Sequence, residues 1–98
     1  MAQYFNITGA LTQELIAAGS SVRTSSIWLT NIHASDAVTV DLYLEKKLTG
    51  KFYFIKSKSI ANASYLLLEG VGFNSGSEEF GLYIKLNAAD SAVDVIIK

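Results

Sequence analysis

His33 is the only histidine of the chain, and Ser35 and Asp36 follow it two and three positions later. Histidine, hydroxyl and carboxylate are the residue types of nucleophilic catalysis, in which a base draws a proton from a nucleophile and an acid orients the base. The spacing opposes that use, because residues two and three apart at a strand end do not align in such a relay. No Gly-x-Ser-x-Gly elbow occurs either. A histidine flanking a surface turn is the simpler reading. Metal chemistry meets a shortage of ligands: there is no cysteine and one histidine, so only carboxylates are left to complete a site. Glu78 and Glu79 could help to hold calcium, but without the regular Asp and Asn spacing of calcium loops. Asp41 with Glu45, and Asp90 with Asp94, are paired acids that glycoside chemistry would need to set around a sugar cleft. These residues therefore imply no enzyme, no catalytic or metal-ligating set, no cofactor and no small-molecule substrate.

A sharper cluster is Lys46, Lys47, Lys51, Lys56 and Lys58, five of the eight basic residues, interleaved with Phe52, Tyr53 and Phe54. Such a mixture can hold a single strand through phosphate attraction and base stacking. Strand alternation sends Phe52 and Phe54 to one face and Tyr53 with Ile55 to the other, so some of these rings belong to the core. A net charge of -1 supplies no field for nucleic acid or an anionic membrane. The cluster reads better as a charged hairpin tip that protects a sheet edge against wrong pairing. A ligand-binding module for carbohydrate or single-stranded nucleic acid is the alternative function.

The elements that must position these residues are strands. In Val38 to Lys47, the side chains of Val38, Val40, Leu42 and Leu44 fall on one face and Thr39, Asp41, Tyr43 and Glu45 on the other, the period-two pattern of a half-buried strand. Phe80, Leu82, Ile84 and Leu86 repeat it. In Ile27 to His33 the alternation is less clean, which predicts a central strand covered on both faces with a bulge near Asn31, a residue suited to turn-side hydrogen bonds. Ser25 and Ser26 mark a bend before it. Leu11 to Ala18 fits helix and strand equally by spacing; strand neighbours on both sides and the weakness of an eight-residue helix favour strand. Ala2 to Thr8, Phe52 to Ser57, Tyr65 to Val71 and Val93 to Ile97 complete about eight strands. Leu48 to Gly50 is a tight turn, Ile60 to Ser64 a short connection, and Gly72 to Glu79 the most mobile loop.

Ninety-eight residues make one domain, residues 1-98, with a core of moderate size. The expected fold is all-β: an antiparallel two-sheet β-sandwich, jelly-roll-like, with strands at the spacing that marks sandwiches. The chain is 50% hydrophobic and 17% charged, against about 25% charged in ordinary domains, so some apolar surface is expected to be covered by partners. Trp28, Tyr43 and Tyr83 lie opposite the main inward face and are the expected partner-binding anchors, since aromatic rings with a polar handle favour interfaces. No signal peptide and no apolar run of membrane length is visible, so a soluble, cytoplasmic chain is expected until it is assembled.

The run Ile27, Trp28, Leu29, Thr30, Asn31, the spacer ending Ser35, Asp36, Ala37, and the strand Val38 to Leu44 resemble small β-sandwich virion proteins of tailed bacteriophages. The aromatic strand Phe52 to Ile55, the Ile60 to Ser64 connection, Tyr65 to Leu68 and a terminal strand extend the resemblance over most of the chain. It implies a non-enzymatic structural subunit of a phage particle, a capsid decoration or tail accessory protein. Its partners would be other copies of itself and other virion proteins, in a virion assembled in the host cytoplasm.

Overall fold

The computed structural model describes residues 3–20, 22–46, 50–75 and 80–98. Eight strands follow one another: β1 Gln3–Thr8, β2 Gln13–Ile16, β3 Arg23–Asn31, β4 Val38–Lys46, β5 Gly50–Ile60, β6 Tyr65–Asn74, β7 Gly81–Leu86 and β8 Ala92–Ile97. They form two antiparallel four-stranded sheets, in the orders β1-β8-β3-β6 and β2-β7-β4-β5. The ladders β1·β8, β2·β7, β3·β6 and β4·β5 are those of one long antiparallel ribbon folded at the β4–β5 tip. Successive ribbon pairs alternate between the two sheets, and the lateral ladders β3·β8 and β4·β7 close each sheet. This is the winding of an eight-stranded jelly roll.

The core lies between the sheets because each strand gives alternate residues to it. Ile27, Leu29, Val93 and Val95 come from one sheet and Val40, Leu42, Leu82 and Ile84 from the other, all fully buried. Leu44, Phe54, Ile55 and Phe80 pack at its margin. In β2 the register shifts between Glu14 and Ile16, so the adjacent residues Leu15 and Ile16 both turn inward. A bulge of this kind blurs period two, which is why Leu11 to Ala18 reads as helix and strand alike.

Three boundaries differ from the sequence reading. The break in β3 falls between Thr24 and Ser26, where the N–H groups of Ser25 and Ser26 both donate to Lys98 O; Asn31 is regular and fully buried. β3 is central but covered on one face only, since Trp28 and Thr30 on the other are half-exposed. β5 runs on to Ile60, which is buried against Val38, and β6 runs on through Gly72 to Asn74. Lys47 with the rest of the turn before Gly50, and 76–79 with Glu78 and Glu79, lie outside the described residues.

The winding makes the chain cross between sheets at neighbouring places, and buried polar residues sit at those crossings. Asn31 Nδ2 donates to Asp36 O and Ile60 O, both at 2.9 Å, and Asn31 Oδ1 accepts from His33 N at 2.9 Å. Its backbone N–H donates to Ser64 O and its carbonyl accepts from Ala63 N. One residue thus ties the outgoing crossing, 32–37, to the end of β5 through its side chain and to the returning crossing, 61–64, through its backbone. Ser75 does the same for the crossing after β2, exchanging bonds with Gly19, Ser20 and Val22.

Denaturant melts should show Leu42→Ala and Ile84→Ala each destabilised by about 2–5 kcal/mol, as large-to-small core changes are. Asn31→Leu should cost about 2 kcal/mol or more despite its added apolar surface, because buried backbone groups lose their partners. Losses under about 1 kcal/mol at all three positions would contradict this core and this tie.

Candidate functional site

The histidine cluster is built by the β3–β4 link. The imidazole of His33 accepts at Nδ1 from Ser35 N and Asp36 N, at 3.1 and 3.0 Å, and Nε2 lies 3.1 Å from Asp90 Oδ2. Two donors on Nδ1 require its lone pair, so the proton resides on Nε2 and is donated to Asp90. Ser35 Oγ meets Asp36 Oδ1 at 3.3 Å, so the hydroxyl bonds to the acid and the backbone N–H takes the imidazole. No nucleophile–base pair forms. Among the described residues, His33, Asp36 and Asp90 are the group that could hold a metal ion. A metal on Nε2 would displace that proton and leave a ring with no N–H, whereas ligating histidines normally donate their other N–H. The residues fit a turn lock better than a metal centre.

The remaining acids are dispersed. Asp41 accepts from Ser57 N, where Ser57 has a positive φ of 53° beside the register shift in the β4·β5 ladder. Asp94 accepts from Asn6 Nδ2 at 2.7 Å. A shallow cleft of about 430 Å³ over Thr39, Asp41, Lys85 and Asn87 is polar, and Asp41 and Asn87 already accept backbone N–H bonds there.

Two aromatic faces stand out, one on the outside of each sheet. On the β2-β7-β4-β5 sheet, Glu14, Tyr83, Tyr43 and Tyr53 are in register across all four strands. The Tyr43 ring stacks against Tyr83 at 5.7 Å and meets Tyr53 at 5.2 Å with the rings tilted by 47°, and Tyr83 OH donates to Glu14 Oε2. Gly81 makes room for this: a Cβ there would come within 2.9 Å of Tyr83 Cε1. Lys51 Nζ sits 4.9 Å from the Tyr43 centroid and Lys56 Nζ 4.5 Å from that of Tyr53. Two of the lysines interleaved with aromatic residues in the sequence, Lys51 and Lys56, thus engage rings of this sheet through cation–π contacts.

On the β1-β8-β3-β6 sheet, Tyr4, Ile96, Trp28 and Leu67 form a second row across four strands. The Trp28 ring stacks on Tyr65 at 5.2 Å. Tyr4 is 70% exposed and Tyr65 61%, and none of the row's four residues is charged.

The three expected anchors therefore do not converge. Trp28 is on one outer face and Tyr43 with Tyr83 on the opposite one. Tyr43 requires a correction: it is on the outer face, as alternation demands, but only 4% exposed, because its neighbours' rings roof it. It supports the face and offers no surface of its own. Sequence reasoning passes over Tyr4, Tyr65, Leu67 and Ile96, whose alternation is legible but whose alignment depends on strand order.

Burial, then the hydrogen bond to Glu14, then the negative charges of Glu14 and Glu45 raise the Tyr83 hydroxyl above its ordinary value. The folded state thus holds this proton more tightly than the unfolded chain. Its contribution to stability is fully present below about pH 10 and is lost as pH rises through the folded value. Absorbance titration should show the Tyr83 hydroxyl ionising above the ordinary tyrosine value. Glu14→Gln should lower that value without normalising it, since burial remains; no change on Glu14→Gln would contradict the assignment.

No protein-family model and no curated protein matches the chain. Among solved structures it is similar to PirA, with a TM-score of 0.58 at 10% identity over 98% of this chain and 91% of that one. It also matches a Yersinia pseudotuberculosis-derived mitogen, with a TM-score of 0.47 at 14% identity over 99% of this chain and 81% of the other. A structure of infectious bursal disease virus, Gx strain, matches at 0.40 and 12% identity, over 99% of this chain and 33% of the other. At such identity the likeness to PirA is one of fold.

Proposed function

We propose that this protein is a non-enzymatic structural subunit of a phage particle, a capsid decoration or tail accessory protein that works through protein–protein contacts. Jelly rolls serve capsids and lectins alike, so the fold does not choose between these roles. The observation that carries the reading is the row Tyr4, Ile96, Trp28 and Leu67 on the outside of the β1-β8-β3-β6 sheet, in which Tyr4 is exposed and the other three are half-buried, with the exposed Tyr65 stacked beside it. An apolar strip on an outer sheet face, rimmed by polar residues, is the kind of surface that protein partners use, and this supports the reading. Its residue types are those that carry binding free energy at interface centres. The resemblance of the sequence to phage virion sandwiches supplies the particle. Carbohydrate or single-strand binding would draw on the opposite face, but there Tyr43 is roofed and Lys51 and Lys56 stand over the rings.

The test is incorporation of tagged chain into gradient-purified phage particles, counted by quantitative mass spectrometry. Wild-type chain should be present in a fixed, symmetric copy number. Trp28→Ser should reduce its copies about tenfold or more, as loss of a central anchor does, while the isolated chain still melts cooperatively. Absence of the wild-type chain from purified particles would overturn the proposal.

A further inference from the structure

We infer that the outer face of the β1-β8-β3-β6 sheet pairs with the same face of a second copy of this chain, about a two-fold axis running along the Tyr4, Ile96, Trp28 and Leu67 row. The inference rests on the reading that the protein works through contacts with other chains, and it names one such contact and its register.

The polar rows on either side of the apolar one carry the inference. On one side lie Asn6, Asp94, Thr30 and Tyr65, aligned across β1, β8, β3 and β6. On the other lie Lys98, Ser26 and Glu69, with Ser26 in register with Glu69 and bonded through its backbone to Lys98 in both directions. A two-fold axis in the plane of the interface and along the apolar row brings each strand over its own counterpart and exchanges the two polar rows. On β8, Asp94 of each copy then faces Lys98 of the other. On β6, the Tyr65 hydroxyl faces the Glu69 carboxylate, and on β3, Thr30 faces Ser26. Each of these contacts occurs twice, as an isologous interface requires.

The other in-plane two-fold, parallel to the strands, lays β8 over β3 and sets Asp94 against Thr30 and Lys98 against Ser26. It leaves the charges unmatched, and unmatched charges at an interface are costly. An unrelated partner would give no reason for this face to be complementary to itself. Opposed sheet faces with aligned strands pack well.

Sedimentation equilibrium across a concentration series tests this on the wild type, Asp94→Lys, Lys98→Asp and the double reversal. The wild type should move from the 10.6 kDa chain mass to twice that value. Each single reversal places like charges together twice and should weaken association at least tenfold. The double reversal should restore it to within about threefold. Asn6→Ala, which removes the intramolecular partner of Asp94, controls for loss of that bond and should dimerise like wild type. A wild type that stays at single-chain mass, a double reversal no better than the singles, or association indifferent to all the reversals would each overturn the pairing. Incorporation of the same chains into particles separates the two proposals. A monomer that is still incorporated sinks the pairing alone, and a dimer absent from particles sinks the particle role alone.

Discussion

Burial of backbone polar groups where the chain crosses between sheets is the constraint on which this fold depends. A jelly roll is a ribbon that changes layers several times, and each change leaves N–H and C=O groups near the core without a strand partner. The chain meets this with single polar side chains at adjacent crossings. Asn31 closes the pair 32–37 and 61–64. Ser75, just past the end of β6, holds the crossing after β2 through Ser20 and Val22. At the open end, Ser91 O accepts from Gly9 N, and Ser91 Oγ accepts from Ala88 N. These are among the few buried polar residues of the described part of the chain. The His33 lock continues the Asn31 tie outward, since His33 N donates to Asn31 Oδ1 while its ring holds the next turn.

With the ribbon fixed in this way, the two outer faces acquire different characters. On the β2-β7-β4-β5 face Tyr83 stacks on Tyr43, Tyr53 leans against Tyr43 at a tilt and keeps 40% of its surface exposed, lysines stand over the rings, and Glu14 accepts the hydrogen bond of the Tyr83 hydroxyl. The β1-β8-β3-β6 face is left open, with aromatic and aliphatic side chains in line and a polar row on either side. The first arrangement stiffens a sheet that has the long β5 at its edge, where lysines also guard against misplaced strands. The second is the face for which contact with other chains is proposed.

Much of the architecture is legible in the sequence because period two survives wherever strands lack bulges. Val38 to Leu44 and Phe80 to Leu86 announce their inward faces, and those faces are the ones buried. Bulges hide the rest. The shift at β2 turns Leu15 and Ile16 to the same side, and the shifts between Val40 and Tyr43 in the β4·β5 ladder disturb the alternation of Phe52 to Ile55. Asn31 is recognisable by its hydrogen-bonding capacity, yet the groups its side chain bonds lie up to 29 residues away and cannot be named from local sequence. The outer row on β1, β8, β3 and β6 is least legible of all. Its members come from four separate segments, and only the order of strands brings them into line.

Trp28 stands inside that row and is the only tryptophan of the chain, so its emission reports directly on whether the open face is the one that other chains cover. Emission and acrylamide quenching should be followed alongside molar mass as the isolated protein is concentrated. The account predicts that emission moves to shorter wavelength and quenching falls in step with the rise in mass. A rise in mass with unchanged Trp28 emission and quenching would place the contact on another surface and contradict the account.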